Sequence, residues 1–220
     1  CIVLSFVAYA DALQSDFLGD DYARILGFLD IIKSHGLATA ISHQLADRPF
    51  LMFTIWLNHL FGEAPISFKV INILIHALTA YSLFTLGTKL FELFGKERAH
   101  ASQKILIAIA FIFAVHPLAN QAINIMIQRG ILLSVLLANC SLYLYLSWLQ
   151  EKKRIVFLGS IILFLLGLLT KTTVVIYPFF MIAITHAYLP KVTSKKFLAI
   201  LPFFILSFIP LIIHKWIGIN

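Results

Sequence analysis

What most constrains this chain is its succession of apolar runs. Residues 66–90, 105–115, 123–148, 155–170, 173–189 and 197–214 are nearly continuous hydrophobic sequence, separated by short polar links. A helix rises about 1.5 Å per residue, so about 20 such residues cross the hydrocarbon core of a bilayer. Of the 220 residues, 60% are hydrophobic and 12% charged; soluble chains have about 45–50% and about 25%. The pattern predicts an all-α, polytopic transmembrane helix bundle and excludes a large soluble core. The opening CIVLSFVAYA is too short to cross. It is read as the end of a first transmembrane helix that begins before Cys1, with a lipid-modified cysteine as the alternative. That makes about seven spans, with residues 1–220 forming a single transmembrane domain.

The net charge is +7, and its placement says more than its size. If successive spans alternate in direction, Lys89, Lys96, Arg98, Lys104, Lys152, Lys153, Arg154, Lys191, Lys195 and Lys196 share one side with only Glu92, Glu97 and Glu151. The other side carries as many acids as cations. Cytoplasmic loops collect Lys and Arg, so the basic side is expected in the cytoplasm. Segment 11–65 then faces the periplasm, cell exterior or an organelle lumen. The expected location is a bacterial plasma membrane or the endoplasmic reticulum, and nucleic acid is not an expected partner. Cys1 and Cys140 imply no disulfide framework. No tetratricopeptide repeat, Gly-rich phosphate loop, CxxC or HExxH occurs.

The outer segment 11–65 concentrates acids: Asp16, Asp20, Asp21, Asp30 and Asp47, with Glu63 near its end. Asp20 and Asp21 are adjacent and expected close to a membrane face. Such a pair can take a proton from an acceptor hydroxyl or hold a divalent cation; it can also be plain solvated surface. A metal is compatible with Asp20 and Asp21 but not required by the sequence. Asp21 is the preferred base, facing a cavity, and its neighbour is expected to cap the following helix. Residues 24–35 have helical periodicity, with Ile25, Phe28, Leu29 and Ile32 on one face, and predict an amphipathic helix on the membrane surface. FLMFTIWLNHLF, after Arg48-Pro49, predicts a re-entrant or interfacial helix.

Polar residues inside the apolar runs mark function or helix packing. Lys69, Asn72, His76 and Thr79 follow three-and-four spacing and share one helix face. Gln121, Asn124 and Gln128 repeat that spacing beside Arg129. The planar fork of Arg129 suits a phosphate or carboxylate; an internal salt bridge is the alternative. Lys171, between two apolar runs, either binds a lipid phosphate or snorkels to the interface.

The ordered motifs DD, RPF…LNHLFG, the N...H helix, FAVHPL with a following Arg, and LLTK…YP resemble the membrane region of the GT-C glycosyltransferases. They are nearest to the TMTC-type and protein O-mannosyltransferase-like branch. The resemblance covers most of residues 15–180. It implies an essential acidic pair in the first outer loop, matched by Asp20 and Asp21. It implies a polyprenyl-phosphate sugar donor in the membrane lipid and a protein or glycan acceptor. Arg48 matches the RP motif, Asn72 and His76 the N...H helix, and His116 with Pro117 the HP motif. Arg129 follows in QR where GR is usual, and Lys171 is followed by Thr172 where a Glu is common. On this resemblance Arg129, Lys171 and Arg48 hold the donor phosphate, while Asn72, His76 and His116 line the cavity.

The leading expectation is an inverting membrane glycosyltransferase acting on the non-cytoplasmic face. A non-catalytic GT-C-like scaffold or assembly subunit, partnered by other membrane subunits, is the second reading. A lipid or solute transporter is the third, although the internal repeat that many transporters show is absent.

Overall fold

The computed structural model describes residues 1–37, 39–40, 48–94, 99–188, 198–210 and 212; Asp47 and the basic loop 190–196 lie outside them. Among the described residues every regular element is helical. Helix α1 is Ile2–Ala8, followed by a 3₁₀ turn Ala10–Gln14. A π turn Tyr22–Leu26 runs into α2, Gly27–His35. Then come α3 (Pro49–His59), α4 (Pro65–Phe94), α5 (Ala99–Val115), α6 (Asn120–Asn124) and α7 (Arg129–Glu151). The last described helices are α8 (Arg154–Leu168), α9 (Tyr177–Tyr188) and α10 (Leu201–Ser207).

By length and composition, two helices are able to cross a bilayer among the described residues: Pro65–Phe94 and Met126–Glu151. A third is reached if Gln103–Val115 and Pro117–Asn124, bent by 43°, count as one span. Among the described residues the expected number, about seven, is therefore not confirmed. The physical reason is length: α8, with 15 residues, rises only about 22 Å, and α9 is preceded by a 3₁₀ turn, Thr172–Ile176.

Helix α7 is the centre, packed between α4 and α8. Lipid is as apolar as leucine, so such helices are held by close packing and interhelical hydrogen bonds. The α7–α8 seam shows both. Ser141 Oγ donates to the Ser160 carbonyl at 2.8 Å, and Ser160 Oγ returns to the Ser141 carbonyl at 2.7 Å. Asn139 of α7 donates to Ser82 of α4 at 3.1 Å and accepts from Tyr177 of α9 at 2.8 Å. Around this seam Leu142, Tyr145, Phe164, Met181 and Phe203 form the largest apolar cluster. Ile105, Ile109 and Ile112 of α5, and Ile155, Leu158 and Ile162 of α8, point outward, as lipid-facing side chains do.

The helix directions sort the chain into two ends. One end gathers the described part of 10–65, residues 116–128 and the 169–172 link. The other holds Lys89, Glu92 and the Glu151–Lys153 pair, with Lys89 Nζ 3.6 Å from Glu92 and Lys153 Nζ 2.8 Å from Glu151. Helix α2 departs from expectation. Its face of Phe28 and Leu29, with Ile25 before it, is buried against Leu51, Ile55, Phe68, Met126 and Ile127 instead of lying on lipid. The protein itself supplies the apolar partner that the amphipathic pattern requires. At 11 residues α3 is too short to span, as expected, and it packs against the same cluster.

The seam makes a clear prediction. Ser160→Leu removes the bond that the Ser160 hydroxyl donates and forces bulk into a close contact, so it should cost about 2 kcal/mol. Thermal unfolding in detergent measures this; unfolding at the wild-type temperature would show that the seam is not a tight contact.

Candidate active site

The site begins with a helix that breaks without proline or glycine. After α6 the backbone becomes extended at Ile125 (φ −86°, ψ 104°), then re-forms through a 3₁₀ turn, Met126–Gln128, into α7. The break leaves amides without helical partners, and Asp21 takes them. Its Oδ2 accepts from Met126 N at 3.0 Å and its Oδ1 from Ile127 N at 2.8 Å. Oδ2 also accepts from Leu18 N at 3.2 Å. Asn72 Nδ2 donates to the Met126 carbonyl at 3.2 Å. Lys69, on the same α4 face, donates to the Ser15 carbonyl and hydroxyl and to the Asp16 carbonyl at 3.1 Å. Its charge lies within electrostatic reach of Asp21.

The acidic pair is thereby split. Asp21, expected to face a cavity as the base, is fully buried with its oxygens turned to backbone amides, whereas Asp20 is exposed. Neither carboxylate makes a side-chain cap on the following helix. Asp21 anchors the start of α7 instead. Among the described residues no group of three His, Cys, Asp or Glu side chains is arranged to hold a metal.

Arg129, the first residue of α7, is also fully buried. Nε donates to Asn72 Oδ1 at 2.7 Å, and Nη1 to the Thr54 carbonyl at 3.1 Å. Nη2 donates to Asn58 Oδ1 at 2.6 Å and to the Phe68 carbonyl at 3.2 Å. The guanidinium therefore ties α3 and α4 to α7 through neutral acceptors, and not through the internal salt bridge that was the alternative to a phosphate contact. Asn58 belongs to no polar stripe of the sequence. The signal for it was a lone amide inside the apolar run FLMFTIWLNHLF.

His76 is buried between Tyr9 and Phe113, with ring centroids 5.4 and 5.1 Å away, and its Nε2 lies 3.3 Å from the Ala114 carbonyl. Asn72 and His76 thus sit between helices. His116 is exposed at the end of α5, where its Nδ1 accepts from Leu118 N at 3.3 Å. Arg48 and Lys171 are half-buried neighbours. Phe50 N donates to the Leu169 carbonyl at 3.1 Å, which pins the start of α3 to the end of α8. Burial, and then the Arg48 charge, lower the Lys171 ammonium from its ordinary value. Directly after Lys171 opens an apolar groove of about 650 Å³, lined by Thr172, Val175, Ile176, Phe179, Phe180 and Ala183.

The chain is 27% identical over 161 residues to the Drosophila melanogaster protein O-mannosyl-transferase Tmtc1, covering 67% of this chain and 17% of that protein. A Caenorhabditis elegans protein O-mannosyl-transferase matches at 28% over 160 residues, or 66% of this chain and 22% of its own length. The chain is similar to the TMTC-type protein O-mannosyl-transferases. Mouse TMTC4, at 25% over 164 residues, covers 66% of this chain and 21% of its own length. The resemblance read from the motifs is borne out by these relatives. The chain spans about a fifth of their length. No family model matches it, and no solved structure gives a significant match.

Asp21→Ala should cost about 3 kcal/mol, because hydrogen bonds to a charged group are lost and buried amides are left unmet. Asp20→Asn, at an exposed position, should stay within about 0.5 kcal/mol. Paired unfolding curves in detergent compare the two. Equal stabilities would contradict the anchoring role of Asp21.

Proposed function

We propose that this chain contributes the donor-handling region of a membrane glycosyltransferase. It moves a sugar, mannose on the analogy of its relatives' names, from a polyprenyl-phosphate-linked donor to a protein hydroxyl. The observation that carries the reading is Lys171, within electrostatic reach of Arg48 and directly before the chain segment that lines the apolar groove. Cations in reach of each other suit a shared anion, and an open apolar groove on the following segment suits a polyprenyl chain. The donor combines these two chemistries in one molecule.

In this reading the acceptor oxygen attacks the anomeric carbon and its proton passes to a carboxylate. The bond from that carbon to the phosphate oxygen breaks, and the phosphate leaves with the electron pair toward Arg48 and Lys171. A single displacement inverts the anomeric centre. We assign the base role to Asp20, whose carboxylate is exposed beside the buried Asp21. The acidic pair and both cations lie at the end opposite Lys89, Lys104, Lys152, Lys153 and Arg154, which outnumber Glu92 and Glu151 there. This supports a non-cytoplasmic reaction face, since basic residues favour the cytoplasm.

Transfer of labelled sugar from donor to peptide, by the purified chain in lipid, tests the reading. Asp20→Asn should lower turnover by about 10²–10⁴-fold, the usual contribution of a general base, with folding kept. Wild-type turnover in that variant would remove Asp20 from the chemistry. No turnover by the wild type, with donor still bound, would favour the scaffold reading.

A second test uses pH. Lys171 is charged only below its pKa, which burial and Arg48 lower from the ordinary lysine value. Donor affinity should therefore fall as pH rises, at a pH below the ordinary lysine range of about 10.4. Lys171→Arg should move the fall to higher pH. An affinity flat from pH 7 to 10 in the wild type would rule out a Lys171 contact with the phosphate.

A further inference from the structure

We propose that Arg129, Asn58 and Asn72 are positioning residues that rivet α3 to the bundle and so hold Arg48 beside Lys171, and that Arg129 does not touch the donor. The part of this concerning donor affinity rests on the reading above; the part concerning α3 does not. The guanidinium carries five N–H groups, and four donations go to protein acceptors, on a residue with 0% exposure. A phosphate would have to displace buried partners to reach it, leaving Asn58 and Asn72 amide oxygens unsatisfied, which is costly.

The rivet fixes α3 at two levels. Toward its C-terminal half, Arg129 holds the Thr54 carbonyl and Asn58, and Asn58 Nδ2 donates on to Ser67 Oγ of α4 at 3.2 Å. Toward its start, the next residue of α7 is Gly130. A Cβ there would stand 3.1 Å from Leu51 Cδ2 of α3 and 3.7 Å from the Thr170 carbonyl. So α7 meets both the start of α3 and the segment that leads into Lys171. The Phe50–Leu169 backbone bond closes the same contact. A buried cation with neutral acceptors on α3 and α4 fixes that contact without adding a counterion beside Lys171.

Distance and binding together test this in the full chain. Spin labels go at exposed Phe53 of α3 and Ile162 of α8, in a background with Cys1→Ser and Cys140→Ala. The wild-type pair should give a narrow distance distribution, and Asn58→Ala and Arg129→Gln a broad one. Asn58→Asp, which keeps the acceptor, should stay narrow. Binding of a polyprenyl monophosphate to the unlabelled variants should weaken about tenfold in the two broadened cases, within the usual range for coupled sites, and hold in Asn58→Asp. If Arg129→Gln abolishes binding while the distribution stays narrow, Arg129 is a phosphate contact and the proposal is wrong. A narrow distribution with unchanged binding in both variants overturns it equally. Should Arg129→Gln fail to fold, Asn58→Ala decides, because it leaves the Arg129 bond to Phe68 in place. If the wild type does not bind the probe, the donor reading fails, and the distance distributions still decide the rivet.

Discussion

A helix that breaks inside an apolar environment must find partners for the amides it exposes, and here a single buried carboxylate supplies them. Asp21 reaches across more than a hundred residues to the Met126 and Ile127 amides. An unmet N–H in such a place costs roughly as much as a lost hydrogen bond, so the break and the carboxylate require each other. The break in turn sets where α7 begins, and hence where Arg129 stands. Through Arg129 it sets the seat of α3. Lys69 holds the loop from which Asp21 comes. One buried carboxylate thus orders the outer segment and the helix break.

The apolar elements were legible because their signal is local. The stretch 66–90 carries the α4 span, and the three-and-four spacing of Lys69, Asn72, His76 and Thr79 announced a shared face that the fold buries. The break at Ile125 was not legible. NIMIQ holds no proline or glycine, and the force that opens the helix comes from a residue distant in sequence. For the same reason nothing local distinguishes Asp20 from Asp21. Adjacent aspartates are chemically identical in the sequence, and only the docking of the outer segment sends one inward.

Arg129 shows a different limit. Its place between apolar runs marked it as unusual, which was correct. Its partners could not be read, because two of them are backbone carbonyls and one is the amide of Asn58. Neutral acceptors leave no charge pattern in a sequence. A salt bridge would have been guessable from a nearby acid, while a set of carbonyl and amide dipoles is not. The amphipathic stretch around Phe28 is a related case. Its periodicity states that one face needs an apolar partner, but not whether that partner is lipid or protein.

The division of charge at this end has a chemical consequence. A cation meant to receive a leaving phosphate loses its use if a nearby carboxylate neutralises it, and a base loses its use if a lysine holds it. In this fold the carboxylate that could do most damage, Asp21, is spent on backbone amides, whose dipoles stabilise it without consuming a side-chain cation. Arg129 is spent on neutral dipoles in the same way. Both buried charges are satisfied by the main chain and by asparagines, so neither competes for Lys171 or Arg48. Satisfying buried ions with dipoles instead of with each other leaves neither Asp21 nor Arg129 in need of a side-chain counterion.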